Sequence, residues 1–209
     1  MKKMPCLFER DFHDRGRFTM REDVTPGCEW VLAGEGIATR KWDGTACAVI
    51  DGKLYKRYDA KKGKVAPAGA IPCDAPDPVT GHHPHWVLVG DEPESKWHRE
   101  AWKEMVDKAV VISNGTYELI GPKVNGNPEK AATHIFIPHL SRFGPTGNAE
   151  LDAELVRTFD GIREFLIDSW IEGIVFHHPD GRMCKIRRDD YGMRWPISEE
   201  QYLKDQTKN

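Results

Sequence analysis

The sequence has no long apolar run. Nothing in its 209 residues approaches the roughly 20 consecutive apolar residues that cross a bilayer. The opening, Met1-Lys2-Lys3-Met4-Pro5-Cys6, lacks the apolar core of a signal peptide, so the expectation is a cytoplasmic protein with no membrane partner. Cysteine is sparse: Cys6, Cys28, Cys47, Cys73 and Cys184 include no C-x-x-C pair. An odd number at wide spacing excludes a disulfide framework and a zinc finger, and all five are expected reduced. A cationic excess is also missing, with 30 Lys and Arg against 33 Asp and Glu, for a net charge of -3. That excludes the global basic signature of a nucleic-acid binder and leaves any polynucleotide contact to a local patch. No internal repeat or low-complexity tract is present.

What is there reads as a strand-rich chain. Residues 45–50 form an apolar strand, Asp51-Gly52 is a hairpin turn signal, and Leu54-Tyr55-Lys56-Arg57-Tyr58 returns. Residues 61–85, with Lys61-Lys62-Gly63-Lys64 and five prolines, read as a long surface loop. Trp97, Ala101, Met105 and Ala109 share one face of a helix over 95–110, with Ser95 as its cap. Strands are predicted at 116–120 and 133–137, the latter ended by Pro138. A second amphipathic helix fits 149–168, and 171–177 with 182–187 form a last hairpin about Pro179-Asp180-Gly181. Hairpins outnumber any βαβ alternation, so the expected class is α+β with largely antiparallel sheets flanked by helices.

The chemistry lies in Lys41-Trp42-Asp43-Gly44, Tyr117-Glu118-Leu119-Ile120-Gly121, Glu172-Gly173-Ile174-Val175 and Lys185-Ile186-Arg187. K-x-D-G alone arises by chance in roughly one chain in twenty of this length; the ordered set is far more specific. A lysine attacks only as the free amine, and nearby cations with partial burial favour that form. Lys185 and Arg187 alternate with Ile186 and so share one strand face. Against Lys41, they would also hold the phosphate under attack. Glu172 is then the oxygen ligand for a hard divalent metal, Mg²⁺ or Mn²⁺.

In this order the motifs resemble the covalent nucleotidyltransferase superfamily, and the closest likeness is to the ATP-dependent RNA ligases. The resemblance spans about 34–188. It implies one nucleotidyltransferase (ATP-grasp-like) domain over residues 1–209, with a 1–30 N-terminal extension and a short 189–209 tail. The roughly 21 residues after Arg188 leave no room for a C-terminal OB barrel. It also implies that Lys41 is the adenylylated nucleophile on the turn Asp43-Gly44, with Lys185 and Arg187 as catalytic cations. Arg57 would contact ribose or the substrate phosphate, Glu118 the ribose, Phe136 the base by stacking, and Glu172 the metal. Arg187 stands where many members have a second lysine. The implied reaction moves AMP from ATP to Lys41, releasing pyrophosphate. AMP then passes to a 5′-phosphate end, and a 3′-hydroxyl displaces it, as in RNA repair.

RNA ends are the expected polymer substrate, with DNA ends as the alternative, and partner proteins that prepare those ends are compatible with so small a chain. Lys61, Lys62, Lys64 and Arg188 are the expected polynucleotide contacts. Competing readings are a DNA nick ligase, a GTP-dependent guanylyltransferase, and a non-catalytic nucleotide- or RNA-binding relative. His82, His83 and His85 near Cys73 match no standard zinc spacing and read as a surface loop.

Overall fold

A computed structural model describes residues 4–14, 17–139, 151, 154–198, 200 and 202. In chain order the elements are β1 (Phe8–Phe12), β2 (Phe18–Val24), α1 (Glu29–Leu32), β3 (Ile37–Lys41), β4 (Thr45–Ile50), β5 (Lys53–Ala60), β6 (Ile71–Pro72), β7 (His83–Leu88), α2 (Lys96–Asp107), β8 (Gly115–Ile120), β9 (Ile135–Pro138), α3 (Phe159–Asp168), β10 (Gly173–His177) and β11 (Met183–Arg187). The expected α+β class is borne out. The strands form three open sheets, and every ladder between them is antiparallel. No closed barrel occurs among the described residues.

The chain divides into two compact units, one built on Asp43–Leu140 and the other on Met4–Trp42 with Ser141–Asn209. The boundary falls inside the K-x-D-G sequence, with Lys41 in the second unit and Asp43 in the first.

The first unit is a six-stranded sheet in the order β6-β7-β5-β4-β8-β9. Asp51 and Gly52 both have positive φ, 49° and 71°, the geometry that joins two right-twisted strands in two residues. Cys47, Val49, Leu54, Tyr117, Leu119 and Phe136 pack with Ala101 of α2 into one core. These strand residues share one face of the sheet; on the opposite face Ala48 and Ile137 are buried as well. Ser95 begins α2 as expected, but its hydroxyl is bound to Glu92 and Lys56 and caps no backbone amide.

In the second unit β10 is central, flanked by β3 and β11. Ala38, Ile174, Phe176, Cys184 and Ile186 form the inner face, packed against Ile162 and Leu166 of α3 and against Leu7, Phe8 and Val31. Burying each large apolar side chain contributes about 1.5–3 kcal/mol.

Three expectations change. The helix fitted to 149–168 is interrupted: Leu151 and Glu154 are helical, residues 155–158 are not, and α3 starts at Phe159. Residues 149, 150, 152 and 153 lie outside the described ones. Thr158 is the reason for the late start, since its hydroxyl accepts from the Gly161 amide at 3.1 Å and caps the helix there. The loop expected over 61–85 contains β6 and leads into β7, whose Pro84 carbonyl accepts from the Cys73 amide at 2.8 Å. The hairpin β1–β2 within the N-terminal extension was not anticipated.

Candidate active site

Lys41 ends β3, and its cross-strand partner on β10 is Gly173. Gly173 is also opposite Arg187 on β11, so Lys41, Gly173 and Arg187 form one row across the sheet. Thr39, Val175 and Lys185 form the next row on the same face. Glu172, one residue before β10, accepts a hydrogen bond from the Lys41 ammonium. Thus Lys41, Glu172, Lys185 and Arg187, chosen from sequence for their order, belong to one sheet of one unit. Gly173 is what permits the spacing: a Cβ there would stand 2.2 Å from the Ile186 carbonyl oxygen and 2.8 Å from Arg187 Cα. Burial pushes the Lys185 amine below its ordinary pKa, and the positive charges of Lys41 and Arg187 push the same way, opposed by Asp190 and Glu172.

Arg187 is held by a residue that sequence reasoning left in the tail. Asp190, 2% exposed, accepts from the Arg187 amide at 2.8 Å and from its guanidinium at 3.1 Å. The same carboxylate also accepts from the guanidinium of Arg10 on β1. Arg10 and Asp190 are 180 residues apart, so no local pattern reveals the pair. Arg188 corrects an expectation. It is 0% exposed, and its guanidinium donates to the backbone carbonyls of Leu166, Ser169 and Arg194. A cation spent on interior carbonyls ties α3 to the turn after β11 and has no surface to offer a polynucleotide.

The first unit carries the other sequence-derived residues. Asp43 and Gly44 are pinned by residues of the loop after β8 that belong to none of the sequence motifs: the Asn125 amide donates to Asp43 Oδ1 at 3.0 Å and to the Gly44 carbonyl at 2.7 Å. The Glu129 carboxylate accepts from the Asp43 amide at 2.8 Å. A Cβ at residue 44 would lie 2.2 Å from the Leu119 carbonyl oxygen and 2.9 Å from Glu118 Cγ, so glycine is required where this turn meets β8. Glu118 is partnered by His139, with Nε2 2.8 Å from Oε2. Arg57 lies over the Trp86 ring, 6.0 Å from its centroid, and donates to Asp59 at 2.7 Å.

Phe136 departs from its expected role. It pairs with Leu119, whereas Glu118 pairs with Ile137. Phe136 therefore points to the α2 side of the sheet, away from the face that carries Glu118. It is 6% exposed and meets Tyr117 edge to face at 6.3 Å. It is a core aromatic, and alternation gives no base-stacking surface at that position. Lys61, Lys62 and Lys64 are exposed, in a turn closed by the Lys64 amide on the Lys61 carbonyl at 2.8 Å.

Among the described residues no group of three or more His, Cys, Asp or Glu is arranged to hold a metal ion. A partly buried single carboxylate such as Glu172 suits an ion that keeps most of its ligands as water and phosphate oxygens, the habit of Mg²⁺. No helix among the described residues is long and apolar enough to cross a membrane.

An antiparallel α+β chain presenting a lysine, a carboxylate and two further cations on one sheet face has the equipment of a group-transfer enzyme acting on phosphates. A family model described as RNA ligase 1 matches residues 111–208. The chain is 27% identical to RNA ligase 1 of Rattus norvegicus over 95% of its own length and 83% of that protein. Against RNA ligase 1 of Mus musculus the figures are 26%, 95% and 82%, and against that of Danio rerio 34%, 57% and 43%. These matches bear out the resemblance to RNA ligases read from the motifs.

Proposed function

We propose that the chain is an ATP-dependent RNA ligase that seals 5′-phosphate and 3′-hydroxyl ends through a lysyl-AMP intermediate, on a nucleotidyltransferase-type fold. The observation that carries this reading is the row Lys41, Gly173 and Arg187, with Glu172 on the Lys41 amine and Lys185 in the adjacent row.

In the first step the Lys41 amine attacks the α-phosphorus of ATP. Once its ammonium has given up a proton, the Lys41 nitrogen bonds to phosphorus and releases a second proton to solvent, while the bond to the bridging oxygen breaks and pyrophosphate leaves with its electron pair. Glu172 holds the amine and orients it, while Lys185 and Arg187 supply positive charge where the pentavalent state gathers negative charge. A divalent ion held by Glu172, Mg²⁺ or Mn²⁺, would neutralise phosphate charge as a Lewis acid. Glu118 accepts hydrogen bonds from the ribose, and Arg57 contacts ribose or phosphate. AMP then passes to a 5′-phosphate, and a 3′-hydroxyl displaces it. Lys61, Lys62 and Lys64 are the proposed polynucleotide contacts, which would make RNA binding weaken steeply with salt.

The test is intact-protein mass after incubation with ATP or GTP and a divalent ion, on the wild type and on Lys41→Ala. Pyrophosphate treatment beforehand strips any nucleotide already bound. The reading requires an AMP adduct on the wild type that Lys41→Ala lacks. A GMP adduct instead would assign guanylyl transfer, and no adduct with either nucleotide would remove the covalent mechanism.

A further inference from the structure

Two arginines from distant parts of the second unit converge on one buried carboxylate. Arg10 of β1 and Arg187 of β11 both direct Nη2 at Oδ1 of Asp190. Oδ2 of the same group accepts the Arg187 amide. Asp190 therefore fixes both the backbone and the side chain of Arg187. This suits an arginine better than a lysine: a planar fork held by a carboxylate keeps its other N–H donors in fixed directions, whereas the donors of an ammonium rotate on a flexible stem. Those donors exist. The Nε atoms of Arg10 and of Arg187 are both buried, and neither has a hydrogen-bond partner. Buried donors without acceptors are costly unless something accepts from them. Lys185, two residues before Arg187, is tied to the same N-terminal segment: its amide donates to the Pro5 carbonyl at 3.0 Å, and its carbonyl accepts from the Leu7 amide at 2.8 Å.

We propose that Asp190 is a positioning residue of nucleotidyl transfer, which aims Arg187 at the phosphate and, through Arg10, makes the N-terminal hairpin part of the reaction site. The proposal rests on the ligase reading above. One carboxylate between two guanidinium groups leaves the trio with a net positive charge and two buried Nε donors without an acceptor, a combination suited to an anionic oxygen. Arg10 stays in place because it also lies over the Phe18 ring, 4.6 Å from its centroid. Every contact in this chain, from the hairpin to β11, lies within one unit.

The experiment is a double-mutant cycle on the single-turnover rate of Lys41–AMP formation, as a function of ATP concentration. Asp190→Asn should lower the maximal rate by about 10–100-fold, the scale of misplacing a group that acts on the transition state, with little change in half-saturating ATP. Arg187→Ala should be at least as slow. In the Arg187→Ala background, Asp190→Asn should cost less than about threefold more, because a residue that acts through another has nothing left to act on. Losses that multiply overturn the proposal and leave Asp190 a purely structural group. If Asp190→Asn fails to fold, Arg10→Gln serves in the same cycle, slowing the wild-type background severalfold and the Arg187→Ala background not at all. Equal slowing in both overturns the coupling. Absence of any adduct on the wild-type chain would instead defeat the ligase reading, and the proposal with it.

Discussion

A methyl group at residue 173 would press on the Ile186 carbonyl and on Arg187 Cα, and both belong to the strand that delivers Lys185 and Arg187. Backbone atoms cannot rotate aside as a long side chain can, so Gly173→Ala must widen the β10–β11 spacing. The expected result is a stability loss of about 1–3 kcal/mol, typical of overpacking, together with slowed AMP-adduct formation. Thermal melting and adduct kinetics on the same sample check it, and a variant with wild-type values in both would show the strands to be freer than this geometry. Phe136 makes the converse prediction. As a core aromatic behind the sheet, Phe136→Leu should cost on the order of 1 kcal/mol and leave the adduct rate of the folded protein unchanged. A rate loss without a stability loss would restore its expected contact with the base. At this scale the sequence announced residues whose chemistry is unusual for their place, such as Lys41 and Glu172. It could not announce Asp190, whose meaning comes from Arg10 across 180 positions.

The helix α3 shows how an element can be legible in kind and wrong in extent. Leu151, Leu155, Phe159, Ile162 and Phe165 hold helical spacing, and all pack on the same core. Leu155, however, enters that core from the break between two helical stretches, since periodicity records which residues are buried and not how the chain runs between them. The local stop is the Thr158 side chain on the Gly161 amide. Gly161 also has no room for a side chain: a Cβ there would meet the Val156 carbonyl oxygen at 2.5 Å. Thr158→Ala should cost about 1 kcal/mol through the lost cap, whereas Thr158→Ser should be close to neutral. Denaturant midpoints at constant slope would check both, and equal losses for the two would mean the hydroxyl is not what matters. The strand β7 was hidden differently. His83-Pro84-His85 lacks apolar alternation, and its pairing with β5 becomes visible only when the register from Tyr55↔Leu88 to Ala60↔His83 is laid out. The hairpins β4–β5 and β10–β11, by contrast, were legible because a turn signal sat between two apolar runs.

For the molecule as a whole, the slightly acidic charge balance predicts little about acid stability, because the response belongs to a few groups held away from their ordinary pKa. His98 on α2 is 7% exposed, and neither ring nitrogen has a hydrogen-bond partner. Burial, reinforced by the Lys56 ammonium and opposed by Glu92, holds its pKa down at about 4, below the ordinary 6.5. The folded chain therefore keeps His98 neutral over a range in which the unfolded chain binds a proton. Stability must fall as pH drops from about 6.5 towards 4, and below that the full cost has been incurred. Glu92 works in a lower window. The Lys56 ammonium and Ser95 hydroxyl hold its carboxyl at about 2, so its stabilisation is present above its ordinary pKa near 4.5 and is lost as pH falls towards 2. The two windows barely overlap, which allows His98 to be isolated. Denaturant unfolding of the full chain between pH 7 and 4 should show a smaller loss of stability in His98→Leu than in the wild type, with the curves converging towards neutral slope above pH 7. Parallel curves over that range would mean that His98 meets its proton equally in both states, and that the acid sensitivity of the fold originates elsewhere.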